Sequence, residues 1–282
     1  MIKSYYYLTK PGIVYGNSLS VIAGFFLASK TWFDPMLFVA TLLGLALIMA
    51  SGCVFNNYID RDIDEQMERT KRRALVTKKI PVKNALFFAT LLAFFGFGTL
   101  YNFTNSLTAF IAFIGFFFYV AVYSPYKRKS VYGTLVGSIS GAVPPVVGYV
   151  AVSNQLDMAA LCLFILLVLW QMPHFYSIAI FRLNDYKAAA IPVLPAKQGV
   201  RVAKIHILAY IFAFMCALPL LTLFNYKGYI YLGMMLIMSL VWFAKGVVGF
   251  KTENDTKWAR GMFKFSLLVL LTLCTTIAIN SI

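Results

Sequence analysis

Nine apolar stretches, each close to the roughly 20 residues that a helix needs to cross a hydrocarbon core, alternate along this chain with short polar connections. They fall at about 12–29, 36–57, 84–102, 105–124, 131–152, 158–181, 203–224, 228–248 and 262–281. The pattern predicts an all-α fold: a polytopic membrane protein with nine transmembrane helices, forming one domain over 1–282. The first stretch follows Lys3 and Lys10 as a secretory signal would. It lacks a small-residue cleavage site and eight more stretches follow, so it is expected to be retained.

The connections sharpen this picture. All but two of the 25 basic residues lie in the N-terminal arm or around the connections after the second, fourth, sixth and eighth stretches, the exceptions being Lys30 and Lys227. By the positive-inside rule, the N-terminus and these connections are cytoplasmic and the C-terminus is on the far side. An even number of spans would scramble the alternation.

Composition agrees, with 61% hydrophobic and 12% charged residues, against roughly 25% charged in soluble domains. The net charge of +15 flanks the spans and carries no nucleic-acid signature, so the basic residues are assigned to topology and an anionic lipid bilayer rather than to RNA or DNA. Cys53, Cys162, Cys216 and Cys274 all fall within spans, without metal-site or disulfide spacing, and are expected to be buried thiols.

Candidate chemistry concentrates where the second stretch ends, at Asn56-Asn57-Tyr58-Ile59-Asp60-Arg61-Asp62-Ile63-Asp64. On a helix Asn56, Asp60 and Asp64 share one face, while Asp62 points away. Oxygen ligands over two turns suit Mg²⁺, which takes one or two carboxylates and completes its shell with water and phosphate oxygens. Arg69, Arg72 and Arg73 follow at once as candidate grips for phosphate, and the alternative is a salt-bridged, solvated loop.

A second cluster closes the sixth stretch. Pro173 should disturb the helix and expose carbonyls, and His174 sits at membrane depth, where a polar group is a functional candidate or an interhelical hydrogen bond. Arg182 and Asp185 mark the boundary, and His206 opens the seventh stretch as a boundary residue. After the fourth stretch come Lys127, Arg128 and Lys129, then Gly133, Gly137 and Gly141, read as a close helix-packing face.

These motifs together resemble the UbiA-type intramembrane prenyltransferases. The matching stretches are Leu8-Thr9-Lys10-Pro11-Gly12-Ile13, the Asn56-x-x-x-Asp60-x-x-x-Asp64 signature, Met67-Glu68-Arg69-Thr70, Tyr132-Gly133-Thr134, Ser140 to Pro145, Pro173-His174-Phe175, Asp185-Tyr186 and Ile191 to Pro195. Within that superfamily the likeness is close to the haem-modifying branch, over about 8–200; later spans match mainly in topology. The resemblance implies helices around a central cavity, closed by the connections after spans two and six, in a bacterial inner membrane with the site facing the cytoplasm and the C-terminus periplasmic. It implies farnesyl diphosphate and haem b as substrates and Mg²⁺ as cofactor. Asn56, Asp60 and Asp64 would be catalytic, with Asp60, Asp64 and Asp185 as metal ligands. Arg69, Arg72, Arg73, Lys127 and Arg128 would bind diphosphate, and His174, Arg182 and Tyr186 would bind haem. A haem A synthase or terminal oxidase is the implied protein partner. The chain departs from quinone-precursor enzymes, which carry a second Asp-rich motif where this chain has Arg182, Asn184, Asp185 and Tyr186. The rivals are a quinone-precursor prenyltransferase and a secondary transporter, the latter disfavoured by the absence of an internal repeat.

Overall fold

The computed structural model describes residues 2–29 and 33–279. Among the described residues, nine helices are long and apolar enough to cross a membrane: α1 (Pro11–Ala28), α2 (Pro35–Ile59), α3 (Val82–Phe103), α4 (Ser106–Tyr126), α5 (Gly133–Ser153), α6 (Met158–Phe181), α7 (Val200–Leu223), α8 (Tyr229–Lys251) and α9 (Asp255–Ala278). The protein is thus an all-helical, multi-pass membrane protein, as expected. Short polar side chains and prolines set the helix starts. Asp34 caps α2 by accepting from the amides of Met36 at 2.9 Å and Leu37 at 3.0 Å, and Pro35 loses nothing by lacking an N–H there. Asn105 and Asp157 cap α4 and α6 in the same way.

Consecutive helices pack as neighbours, and α9 returns against α1 and α6 to close the bundle. In lipid this association depends on close van der Waals fit, because the tails are as apolar as the side chains. The crossing of α1 and α5 shows how close: a Cβ on Gly24 would lie 1.9 Å from the Pro145 carbonyl oxygen, and one on Gly148 would lie 2.1 Å from that of Val21. Gly137 and Gly141 are also packing positions, making room for the Tyr123 ring and the Gln171 side chain.

Three expectations are corrected. α9 begins at Asp255, not 262, because Asn254 caps it by accepting from Lys257 N at 2.9 Å, while buried Lys204 of α7 binds Asp255 and donates to the Gly249 carbonyl at 2.6 Å. Hydropathy cannot register those polar anchors. Helix α6 runs unbroken through Pro173; Trp170 and Phe263 pack on either side of His174, and Ser177 donates to the Pro173 carbonyl at 2.7 Å. Cys216 lies on the outer surface, because that side of α7 meets no other helix, whereas the other three thiols are buried. His206 lies in the second turn of α7, against Tyr176 and Tyr210. Lys30 and the end of the expected ninth span lie outside the described residues.

Candidate active site

The ladder of α2 passes directly into the short helix Arg61–Gln66, with Asp60 N bonded to Asn56 O at 2.9 Å and Asp64 N to Asp60 O at 2.8 Å. This continuity brings Asn56, Asp60 and Asp64 onto one face, and all three are almost fully buried. Asp62 points outward, where both Nη atoms of Arg128 hold it at 2.7 Å and keep its carboxyl below the usual range. Arg128 is therefore mostly a brace between loops, with Asp60 Oδ1 3.6 Å away.

Cations crowd the acid face. Lys127 pairs with Asp60, and Arg73 Nη1 lies 2.5 Å from Asp64 Oδ2. The loop returning Arg73 is closed by Thr70, whose hydroxyl donates to the Asp64 carbonyl at 2.9 Å. Arg72, in contrast, stays exposed and is not brought to the face, because the turn that delivers Arg73 points its neighbour outward. Arg69 lines the adjoining cavity.

Lys10, in sequence a flanking cation within the Leu8–Ile13 stretch, donates its ammonium to Asn56 Oδ1. Its backbone is left-handed, with φ of 50°, an uncommon conformation for lysine. Asn57 fixes this approach by donating to the Leu8 carbonyl at 2.8 Å. Burial, with Arg73 nearby, lowers the Lys10 ammonium from 10.5 to about 8. Asn56 in turn donates to Ser124 Oγ at 2.8 Å. Ser124 follows a π-helical turn, Phe118–Tyr123, that widens the end of α4 and turns this side chain to the site.

The connections after α2 and α6 meet over this face, as Ile63 and Met67 pack with Ala189 and Ile191. Beside them lies a cavity of about 330 Å³ lined by Glu68, Arg69, Phe181, Arg182, Asn184 and Asp185. Tyr186 stands between the two regions: burial and Tyr123 raise its phenol, while Arg69 and Lys127 oppose the rise. Asp185 is 3.9 Å from Arg182 Nη1. Among the described residues, no three acidic, imidazole or thiol groups form a ready cage, so Asp185 is not gathered with Asp60 and Asp64. A site of two carboxylates still fits Mg²⁺. The buried Asp60 Oδ1 accepts no hydrogen bond, the Arg128 guanidinium standing off at 3.6 Å, so it retains a lone pair for a metal ion.

His174 lies deeper in α6. Its ring stacks on Trp170 at 4.8 Å, meets Phe263 at 4.9 Å, and its Nδ1 is 2.7 Å from Ser266 Oγ.

Buried aspartates under two converging loops, ringed by Lys and Arg, form a polar face suited to a multiply charged anion at the end of a membrane-spanning bundle. The chain belongs to the UbiA prenyltransferase family, which matches residues 17–268. It is similar to the proteins named protoheme IX farnesyltransferase of Serratia proteamaculans and Edwardsiella ictaluri, each 54% identical over 99% of this chain and 95% of the relative. Protoheme IX farnesyltransferase 2 of Pseudomonas fluorescens is equally similar, at 54% with the same coverage. Among solved structures, a digeranylgeranylglyceryl phosphate synthase superposes with a TM-score of 0.80 at 20% identity over 98% of both chains. A UbiA homologue from Archaeoglobus fulgidus bound to GPP and Mg²⁺ gives 0.71 at 16% identity, covering 98% of this chain and 100% of its own. These two share the fold.

Proposed function

We propose that this chain transfers the farnesyl group of farnesyl diphosphate to a vinyl group of haem b, with addition of water, yielding haem O and diphosphate. The observation that carries the reading is the buried Asn56–Asp60–Asp64 face ringed by Lys10, Arg73 and Lys127. The protoheme IX farnesyltransferases at 54% identity support the choice of donor and acceptor.

Asp60 and Asp64 would hold Mg²⁺, supported by the orphan oxygen of Asp60 and by the Mg²⁺ bound with GPP in the Archaeoglobus homologue. An ion held there would supply charge neutralisation for the leaving diphosphate. The chain's own cations do the same. Lys10, Lys127 and Arg73 are held before substrate arrives, so they act on charge that develops at the allylic oxygen without reorganising. Arg69, on the cavity wall, reaches the outer phosphate.

As the carbon–oxygen bond breaks, the allylic carbon bonds to the terminal vinyl carbon. The cation left beside the macrocycle takes water, which then loses a proton, so no strong base is required. Partly buried Tyr186 and the apolar contacts between the two loops keep water from the allylic carbon first. His174 binds or orients the macrocycle, and Arg182 and Tyr186 flank it. The Lys and Arg in the connections after α2, α4, α6 and α8 support a site facing the cytoplasm in a bacterial inner membrane. A haem A synthase or terminal oxidase would consume the product.

Diphosphate release by purified protein tests the reading, with haem b or an aromatic-acid quinone precursor offered as acceptor. Release with haem b alone supports it; release only with the aromatic acid would transfer the site to quinone chemistry.

A further inference from the structure

We infer that the basic stripe opening α9, Lys257, Arg260 and Lys264, binds the porphyrin's carboxylates and so selects a dicarboxylate macrocycle as acceptor. This rests on the haem reading above. Positions 257, 260, 261 and 264 share one helical face and line a recess of about 470 Å³. Gly261 places no side chain between the cations. None of the three has an acidic partner among the described residues, unlike Lys71, Arg73, Lys127, Arg128 and Lys204. Unpaired cations on one recess suit a ligand with more than one carboxylate, and the arginine fork adds bidentate geometry.

Aromatic contacts tie this recess to the acceptor region. The Arg260 guanidinium lies 5.9 Å over the Phe181 ring, with Arg182 at 5.5 Å over the same ring. Phe181 also walls the cavity that holds Arg69 and Asp185. Phe263 meets Phe181 at 5.6 Å and His174 at 4.9 Å, and Ser266 bonds His174. One helix therefore carries, within about 9 Å of axial rise, both a cation at the mouth and the hydroxyl that holds His174. A porphyrin has matching polarity: carboxylates along one edge, a flat apolar body, and vinyl groups away from that edge. Its carboxylates would stay in the interfacial layer, where they need not be fully desolvated. An anionic lipid headgroup is the other source of the same charge.

The test uses purified protein in bilayers of zwitterionic lipid, comparing haem b with its propionate dimethyl ester, in wild type and Arg260→Gln. The variant should raise KM for haem b about tenfold, as expected for loss of one charge-assisted hydrogen-bonded contact. Its kcat and its KM for farnesyl diphosphate should not change. The ester should bind weakly to wild type and lose nothing further in the variant, and Soret titration without farnesyl diphosphate should show the same non-additivity. Lys264→Gln should repeat the pattern and keeps the test decisive if Arg260→Gln misfolds. Equal weakening of diacid and ester, or an effect seen only with anionic lipid present, would overturn the inference. If wild type prenylates no haem, the haem reading fails, and the titration of diacid against ester still decides the subsite.

Discussion

The Nδ1 of His174 lies 2.7 Å from the hydroxyl of Ser266, which itself donates to the Phe263 carbonyl at 2.6 Å. A hydroxyl that has given its proton to a carbonyl can only accept from the imidazole. The neutral ring therefore carries its hydrogen on Nδ1 and keeps a lone pair on Nε2, the form that ligates iron. Ser266→Ala should loosen the tautomer, weakening haem binding several-fold and shifting the Soret band. KM for farnesyl diphosphate should stay constant. An unaltered spectrum in both Ser266→Ala and His174→Ala would remove the iron-ligand role.

Asp60→Asn and Asp64→Asn keep a hydrogen-bonding group of the same size but lose the charge. Each should cut turnover by about a hundredfold or more, the scale of losing a preorganised electrostatic contact. The protein should still insert and bind haem. Activity at the wild-type level, with an unchanged Mg²⁺ titration, would refute the metal assignment.

Lys10 gives the site a pH dependence whose sign follows from its lowered value of about 8. A bound diphosphate stabilises the ammonium and raises that value, so binding takes up a proton once the free lysine has begun to lose it. Affinity for farnesyl diphosphate should then fall as pH rises through about 8. In Lys10→Gln the affinity should be weaker and flat over the same range. The same shift makes folding stability rise as pH climbs from about 8 towards 10.5, since the unfolded lysine holds its proton longer. A wild-type dissociation constant independent of pH across this window would count against Lys10 as a diphosphate contact.

The crossing of α1 and α5 predicts a stability effect separate from chemistry. Gly148→Val would force a side chain against the Val21 carbonyl, already 2.1 Å from where a Cβ would stand. Overpacking of this kind costs about 1–3 kcal/mol. Thermal unfolding in detergent should drop accordingly, whereas Gly233→Val, where a Cβ meets nothing within 4 Å, should be neutral.

Much of this was legible in the sequence because a bilayer imposes long-range order on composition. Span length, alternating charge and the i, i+4 spacing of Asn56, Asp60 and Asp64 are local properties. What escaped was tertiary. Lys10 is adjacent to an apolar span and looks like any other flanking cation until the left-handed turn and Asn57 aim it at Asn56. Arg72 and Arg73 are equivalent in sequence, and only the fold of the returning loop turns one inward. Ser266 and Phe263 lie on a helix that drew attention by hydropathy alone, and its polar first turns were assigned to a connection because their anchors, Lys204 and Asn254, come from elsewhere in the fold.

The most direct measurement of the central claim is mass spectrometry of haem extracted after incubating the purified protein with haem b, farnesyl diphosphate and Mg²⁺, beside an EDTA control. The account predicts a metal-dependent species heavier than haem b by one farnesyl group and one water. Unchanged haem from a demonstrably folded preparation, with or without EDTA, would contradict it.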